Sequence, residues 1–314
     1  MKAFEEVYGS QPERVAAAPG RVNLLGEHTD YNEGYVLPTA IRQETRVAMR
    51  RSRNAYCTVY SAELDETAQF TLAHPPPQHF ATYVYGCLRE AATLVDVPQL
   101  DIHIASDVPM GVGLSSSAAL EVATLRALRA LVSLALDDVR LAQIAQRAEI
   151  AYAGVNCGIL DQMASSLLQP GSMLFLDTRS LEARLVPLPQ GTEILVIDSG
   201  VARSLASSKY NERRSECEAA ARTLGVRALR DITEETTLES LPETLRKRAR
   251  HVVRENARVL RAVAGVAPEE FGALMSASHR SLRDDYDVSI PALDRLVALL
   301  ESQDDVHGAK LTGA

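Results

Sequence analysis

Residues 109–128 read PMGVGLSSSAALEVATLRAL, and the texture of the chain changes inside this stretch. Just upstream, Leu100, Ile102 and Ile104 alternate with Asp101 and His103, the period of a half-buried strand over Leu100–Ala105. His103 falls on the polar side of that alternation, so it should face solvent or a neighbouring strand, without a chemical role. Downstream, residues 116–133 carry the apolar spacing of a long helix. Between the two lie Gly111, Gly113, Leu114, Ser115, Ser116, Ser117 and Ala118. The glycines let the backbone turn tightly and approach a ligand closely. The serines open the helix, where free N–H groups and the positive end of the dipole point outward. Such a loop suits the phosphates of a nucleotide. A single serine would be an ordinary N-cap; this run is richer than that. It is neither a Walker A loop nor a GxGxxG fingerprint.

A second stretch, GRVNLLGEHTDYNEGYVLP at Gly20–Pro38, raises a different question. Val22, Leu24 and Leu25 read as a strand, yet Gly26 is followed at once by Glu27, His28, Thr29 and Asp30. Burying two carboxylates and an imidazole is costly unless they are paired or bind something polar. Either Glu27 and Asp30 cap a turn while His28 packs structurally, or the three hold a polar ligand. Ionised carboxylates are acceptor-only and suit hydroxyl donors.

The bulk properties narrow the classes. A length of 314 residues suggests two domains, and 46% hydrophobic residues suffice for packed cores. The net charge of −8 gives no basic face for nucleic acid. The short patch RKRAR at Arg246–Arg250 reads as a solvated helix face. Cys57, Cys87, Cys157 and Cys217 match no zinc or CxxC spacing, which suggests reduced thiols in a cytoplasm. The start, MKAFEEVYGS, lacks the apolar core of a signal peptide, and no apolar run is long enough to span a membrane. The expectation is a cytoplasmic protein that binds neither nucleic acid nor membrane.

Further strands are expected at Arg21–Leu25, Tyr35–Met49, Tyr56–Ser61, Met173–Asp177, Ile194–Asp198 and Val306–Thr312. Helices are expected at about 79–95, 137–152, 159–168, 208–224, 242–263, 268–283 and 291–301, with HPPPQ at His74–Gln78 a loop. Composition shifts from strand-rich to helix-rich near 178–190, giving expected domains 1–179 and 180–314. In CGILDQMAS (157–165), Asp161 follows a glycine turn and sits among Ile159, Leu160 and Met163; it is either an N-cap or a functional carboxylate. Glu149 stands near a helix C-terminus, a poor place for an anion on dipole grounds.

Taken together, GRVNLLGEHTDYNEGYVLPTAI and PMGVGLSSSAA resemble the first two signature motifs of the GHMP small-molecule kinase superfamily, the first in its galactokinase form. CGILDQMAS, DSGVARSLASSKYNERRSEC (198–217), VVRENARVL (252–260), SHRSLRDDYDVSIPALD (278–294) and GAKLTGA (308–314) extend the resemblance along the chain in order. It implies an α+β, two-domain fold with the active site between the domains, and ATP-dependent phosphorylation of α-D-galactose at the C1 hydroxyl, with galactose and ATP as the small-molecule partners. By the same resemblance, Glu27, His28, Asp30, Gly158, Asp161 and Tyr210 would hold the sugar. Asp161 would be the catalytic base, with Arg21 beside the transferring phosphoryl group. Gly111 to Ala118 and Phe80 would bind ATP, and Ser117 and Glu149 would hold Mg²⁺. The resemblance leaves room for a kinase of a related sugar, an N-acetylgalactosamine or arabinose, and for a non-catalytic galactose and ATP sensor. The intact GLSSSAA loop and Asp161 favour the enzyme, acting as a monomer. Two departures stand out: Phe80 replaces a tryptophan common near the adenine, and Ala314 falls inside the third motif. The family pattern continues past that point, so the second domain is expected to be incomplete and activity reduced.

Overall fold

The structure, a computed structural model, describes residues 2–169, 171–201 and 206–313, with backbone alone for 206–208. Residues 202–205 of the 198–217 motif and Ala314 of GAKLTGA therefore lie outside the described residues. In chain order the elements are α1 (Phe4–Tyr8), β1 (Arg14–Leu25), β2 (Tyr35–Arg51), β3 (Cys57–Ser61), β4 (Glu66–Phe70), α2 (His79–Ala91) and β5 (Leu100–Ser106). They continue with α3 (Ser116–Val132), α4 (Asp138–Ala148), α5 (Leu160–Leu167), β6 (Ser172–Asp177), β7 (Ala183–Pro187), α6 (Ala206–Leu224), α7 (Glu243–Val263), α8 (Pro268–Asp284) and α9 (Pro291–Glu301).

Contacts divide the chain into two compact units that interleave in sequence. Unit 1 holds Met1–Arg21, Ala40–Met110 and Leu114–Pro170; unit 2 holds Val22–Thr39, Gly111–Gly113 and Gly171–Ala314. Strands β1 and β2, which pair, each run through the division.

In unit 1 the strands lie in the order β4-β3-β5-β2. Antiparallel pairing of β2 with β5 sets Val47 opposite Ile104 and Met49 opposite Ile102. One face of this sheet packs on α2, α3 and α4 through Val84, Leu88, Val122, Leu128, Leu141 and Ile144. The other face is covered too. His103, expected to be solvent-facing, is 7% exposed, its Nε2 2.8 Å from the Lys2 carbonyl and its ring beside Phe4. Helix α1 supplies that cover from the start of the chain, which a local period cannot reveal. The expected 137–152 helix divides: α4 ends at Ala148 and a single π turn, Glu149–Ala153, follows. Such widened turns concentrate at functional sites, and Glu149 opens this one.

In unit 2, β6 pairs with the first residues of β2, Tyr35 opposite Asp177 and Thr39 opposite Met173, and with β7. Helices α6, α7 and α8 share a core of Cys217, Ala220, Ala249, Val252, Leu282 and Tyr286. Two expected strands are absent. Ile194–Asp198 has no regular secondary structure, with Leu195 79% exposed, and no described strand pairs with it. Val306–Thr312 forms no ladder either; it is held by side chains, with the Leu311 N–H directed at His279 Nδ1, 3.4 Å away. A strand needs a neighbour for its backbone groups, and apolar pattern alone does not supply one. The patch Arg246–Arg250 is not simply a solvated face: Arg248 is 7% exposed and donates to Glu216 and to the Asp285 carbonyl, at 2.7 and 2.6 Å.

Candidate active site

In unit 1, Arg21 is the last residue that β1 contributes, and Asp161 stands in the first turn of α5. Arg21 grips the carboxylate through two nitrogens, Nε at 2.8 Å and Nη2 at 2.5 Å, both on Oδ1. The Ser115 hydroxyl donates to Oδ2 at 2.7 Å. Ser115 can reach it because it precedes α3 in a left-handed conformation, φ 59°, turning its side chain back from the helix. The Asp161 side chain stays 31% exposed. A guanidinium and a hydroxyl thus fix both oxygens of an accessible carboxylate, the arrangement a proton acceptor needs.

Behind it lies a buried acidic pair. The hydroxyl of Ser117 and the thiol of Cys157 hydrogen-bond to Glu149, and the Gln162 amide reaches it at 2.5 Å. Burial pushes the Glu149 carboxyl up from the usual range, and the charge of Asp161 adds to the shift. Glu121 on α3 is fully buried and pushed up much further, first by burial and then by Glu149. Gln162 bridges the two acids, its amide also 3.2 Å from Glu121 Oε2. Glu121 Oε1 and Gln162 Oε1 have no hydrogen-bond partner among the described residues.

The Ser-rich loop connects β5 to α3, with Gly111 and Gly113 at φ 74° and 82°. Gly113 belongs to unit 2 and meets Gly313 there: a Cβ on Gly113 would stand 2.8 Å from the Gly313 carbonyl oxygen. Ser116, Ser117 and Ala118 form the first turn of α3, so their N–H groups are the unsatisfied ones of that helix end. Leu114 is buried behind the loop. Phe80, in the first turn of α2, packs partly against the unit 1 core. Gly158 lies half-buried just before α5.

In unit 2, Gly26 allows the sharp exit from β1: its φ is 89°, and a Cβ would stand 2.4 Å from the Tyr35 carbonyl oxygen. Thr29 closes the turn by bonding the carbonyls of Gly26 and Tyr35, at 2.9 and 2.7 Å. Glu27 is 7% exposed, and its Oε1 accepts from Lys310 Nζ at 2.9 Å and from the Thr312 hydroxyl at 3.0 Å. Its amide and that of Gly26 point at Glu255 Oε1, and Asn256 Oδ1 accepts from the Tyr35 N–H at 2.9 Å. The motif VVRENARVL therefore clamps this segment from α7. Burial alone would raise Glu255, but Arg258, His251 and Lys310 bring it down to about 2. His28 is enclosed, its ring 5.7 Å from Tyr210 and 4.8 Å from Tyr286. Asp30, half-buried, opens a 3₁₀ turn whose carbonyl accepts from the Thr178 hydroxyl at 3.1 Å.

Glu27, His28, Asp30 and Tyr210 thus gather in one unit, and Arg21, Asp161, Ser115, Ser117 and Glu149 in the other. The reading of the sequence gave no role to Lys310, Thr312, Glu255, Gln162 or Glu121. Each of the five lies in a quoted stretch; what was missing was the long-range contact.

Residues 80–168 match the GHMP kinases N-terminal domain and residues 261–314 the GHMP kinases C-terminal model. The fold is that of a GHMP kinase, mixed helix and sheet, as in the mevalonate kinase of Methanococcus jannaschii, 18% identical, TM-score 0.68, covering 98% of this chain and 88% of that one. Residues 2–51 match the galactokinase galactose-binding signature. The galactokinase of Roseiflexus sp. (strain RS-1) is 44% identical over 99% of this chain and 83% of its own length. That of Actinobacillus pleuropneumoniae serotype 5b (strain L20) is 40% identical, over 99% and 85%. The crystal structure of Lactococcus lactis galactokinase complexed with galactose superposes with a TM-score of 0.89 at 33% identity, over 99% and 85%. The chain belongs to the galactokinase family. Among the described residues no helix is long and apolar enough to cross a membrane.

Proposed function

We propose that this chain moves the γ-phosphoryl group of ATP to the C1 hydroxyl of α-D-galactose, giving galactose 1-phosphate and ADP. The observation that carries the reading is the Asp161 carboxylate, half-accessible and held on both oxygens by Arg21 and Ser115. Asp161 accepts the proton of the attacking hydroxyl. Arg21 keeps that carboxylate aimed and neutralises charge that builds on the phosphoryl oxygens. Glu27, His28, Asp30, Gly158 and Tyr210 hold the sugar. Gly111, Gly113 and Leu114 with Ser115, Ser116, Ser117 and Ala118 receive the phosphates, and Phe80 offers an aromatic face to the adenine.

The Ser117 hydroxyl and the Glu149 carboxylate, already hydrogen-bonded to each other, would hold Mg²⁺. The fit is chemical: two hard oxygen donors on a small cation that keeps most of its waters. Among the described residues no group of three or more His, Cys, Asp or Glu stands together as a metal site, so the protein supplies few ligands and the phosphates the rest. When bound, the ion supplies charge to the β- and γ-phosphate oxygens. Gln162 orients Glu149, and Glu121 backs Gln162. The enzyme acts as a monomer in the cytoplasm, where its four free cysteines stay reduced.

The test is ADP release from Mg·ATP against galactose, N-acetylgalactosamine, arabinose and glucose, with the product identified by phosphorus NMR. Galactose 1-phosphate as the preferred product is expected. Equal turnover with another sugar, or none with any, overturns the reading.

A further inference from the structure

Four side chains of unit 2 stand in line at His28. The imidazole Nδ1 lies 2.8 Å from the Tyr31 hydroxyl, which lies 2.8 Å from the Tyr286 hydroxyl, which lies 3.1 Å from Cys217 Sγ. His28, Tyr286 and Cys217 are 6%, 0% and 1% exposed, Tyr31 is half-buried, and each link of the run is a direct contact. His251 packs on the Tyr286 ring at 4.3 Å and fixes it. Burial pushes His28 down to about 3, so near neutral pH the ring carries one proton.

With one proton on each member, the hydrogen bonds run in one of two senses when both tyrosine hydroxyls donate within the run. In one, Cys217 donates to Tyr286, Tyr286 to Tyr31 and Tyr31 to His28 Nδ1, leaving the imidazole proton on Nε2. In the other, every bond is reversed, and the run begins with an Nδ1–H donor and ends on sulfur as acceptor. Two features favour the first. A phenol is the better donor and an imidazole nitrogen the better acceptor, while sulfur accepts weakly. The Asn32 side chain also hydrogen-bonds to Cys217 and holds the sulfur beside Tyr286. Asn32 is tied to the same segment, its amide 2.9 Å from the His28 carbonyl.

We propose that Cys217, Tyr286 and Tyr31 are positioning residues that fix the His28 tautomer with its proton on Nε2, presenting an N–H donor to a hydroxyl oxygen of the sugar. Nε2 is buried and has no partner among the described residues. The proposal rests on the reading of His28 as a sugar ligand. It adds what that reading lacks: Glu27 and Asp30 can only accept hydrogen bonds, so a sugar hydroxyl that donates to one of them still needs a donor for its own oxygen. A donor of fixed polarity, set from behind by three residues that do not touch substrate, makes the site selective for hydroxyl geometry.

Nitrogen NMR of the ¹⁵N-histidine-labelled protein without sugar reads the tautomer directly. The wild type is expected to show His28 protonated on Nε2 throughout the neutral range. In Tyr31→Phe the Nδ1 partner is gone, and a mixture of tautomers is expected. The galactose KM should rise about tenfold, the ~1.4 kcal/mol of one hydrogen bond, with kcat changed less than threefold and the ATP KM unmoved. Tyr286→Phe should shift both readouts in the same direction by less, and Cys217→Ser, which keeps the donor, should restore what Cys217→Ala loses. An Nδ1-protonated His28 in the wild type overturns the relay even if a variant fails to fold. So does a Tyr31→Phe protein whose tautomer and galactose KM are those of the wild type. If the wild type shows the expected tautomer but does not phosphorylate galactose, the proposed function fails and the relay stands.

Discussion

Glu255 in unit 2 and Glu121 in unit 1 are both fully buried on helices, yet their carboxyls move in opposite directions. Glu255 is brought down to about 2, and Glu121 is pushed well above the usual range. The difference lies in their neighbours. Glu255 faces Arg258 at 2.5 Å, receives the Gly26 amide and the Ser278 hydroxyl, and feels Lys310. Glu121 faces another acid, Glu149, and one amide. Equal burial therefore favours the charged form in one place and the neutral form in the other. The clamp around the Glu27–Asp30 segment is electrostatically complete. The acids behind Asp161 are not.

The comparison can be broken in four places. The largest effect is expected for Asp161→Asn, which keeps shape and loses the proton acceptor: kcat should fall about 10²- to 10⁴-fold, while calorimetry finds galactose affinity within a few-fold of wild type. Unchanged kcat would remove Asp161 from the chemistry. Next is Glu255→Gln. A carboxyl whose ordinary value of 4.5 falls to about 2 on folding contributes stability above pH 4.5 that is lost as pH falls through about 2. That gap corresponds to roughly 3 kcal/mol. Chemical denaturation at pH 7 should show a loss of that order, and the gap between variant and wild type should narrow in acid.

Asp30→Ala should weaken galactose binding by about 1.5–3 kcal/mol, the worth of a hydrogen bond to a charged group, with nucleotide affinity unchanged. An equal loss for an ATP analogue would contradict its assignment to the sugar. The smallest effect has the opposite sign. Because the folded-state value of Glu121 lies above the unfolded one, its carboxyl costs stability once pH exceeds the usual glutamate range, and nothing below it. Glu121→Gln should raise the melting temperature at pH 8 by about 2–4 °C and lose that advantage at pH 4. Destabilisation at pH 8 would mean that the Glu121 charge is compensated after all.

The polar clusters of the candidate site could be picked out from local residue patterns, because the Gly-Ser loop, the Gly-Glu-His-Thr-Asp exit from β1 and the Gly-Ile-Leu-Asp turn each concentrate polar groups within a few residues, while their roles rested on the resemblance alone. The helices of unit 2 were legible from spacing for the same reason. What escaped depends on distant parts of the chain. His103 is covered by the N-terminal helix, Arg248 is buried by Glu216 and Asp285, and Glu27 is paired to Lys310 from 283 residues away. Ile194–Asp198 has the apolar run of a strand, but a strand is defined by its neighbour, and pattern does not name one. The donor from Ser115 to Asp161 was hidden by its backbone: a left-handed serine at a helix start turns its hydroxyl where an ordinary N-cap would not.

The sequence has ten tyrosines and no tryptophan. In most proteins an indole drains tyrosine emission; here there is none to do so. Tyr31, Tyr210 and Tyr286 all lie within ring contact of His28, so the excited phenols sit against the imidazole proposed to meet the sugar. The unlabelled protein thus carries its own optical gauge of that pocket, and stopped-flow tyrosine emission can time the arrival of galactose apart from the transfer step that follows.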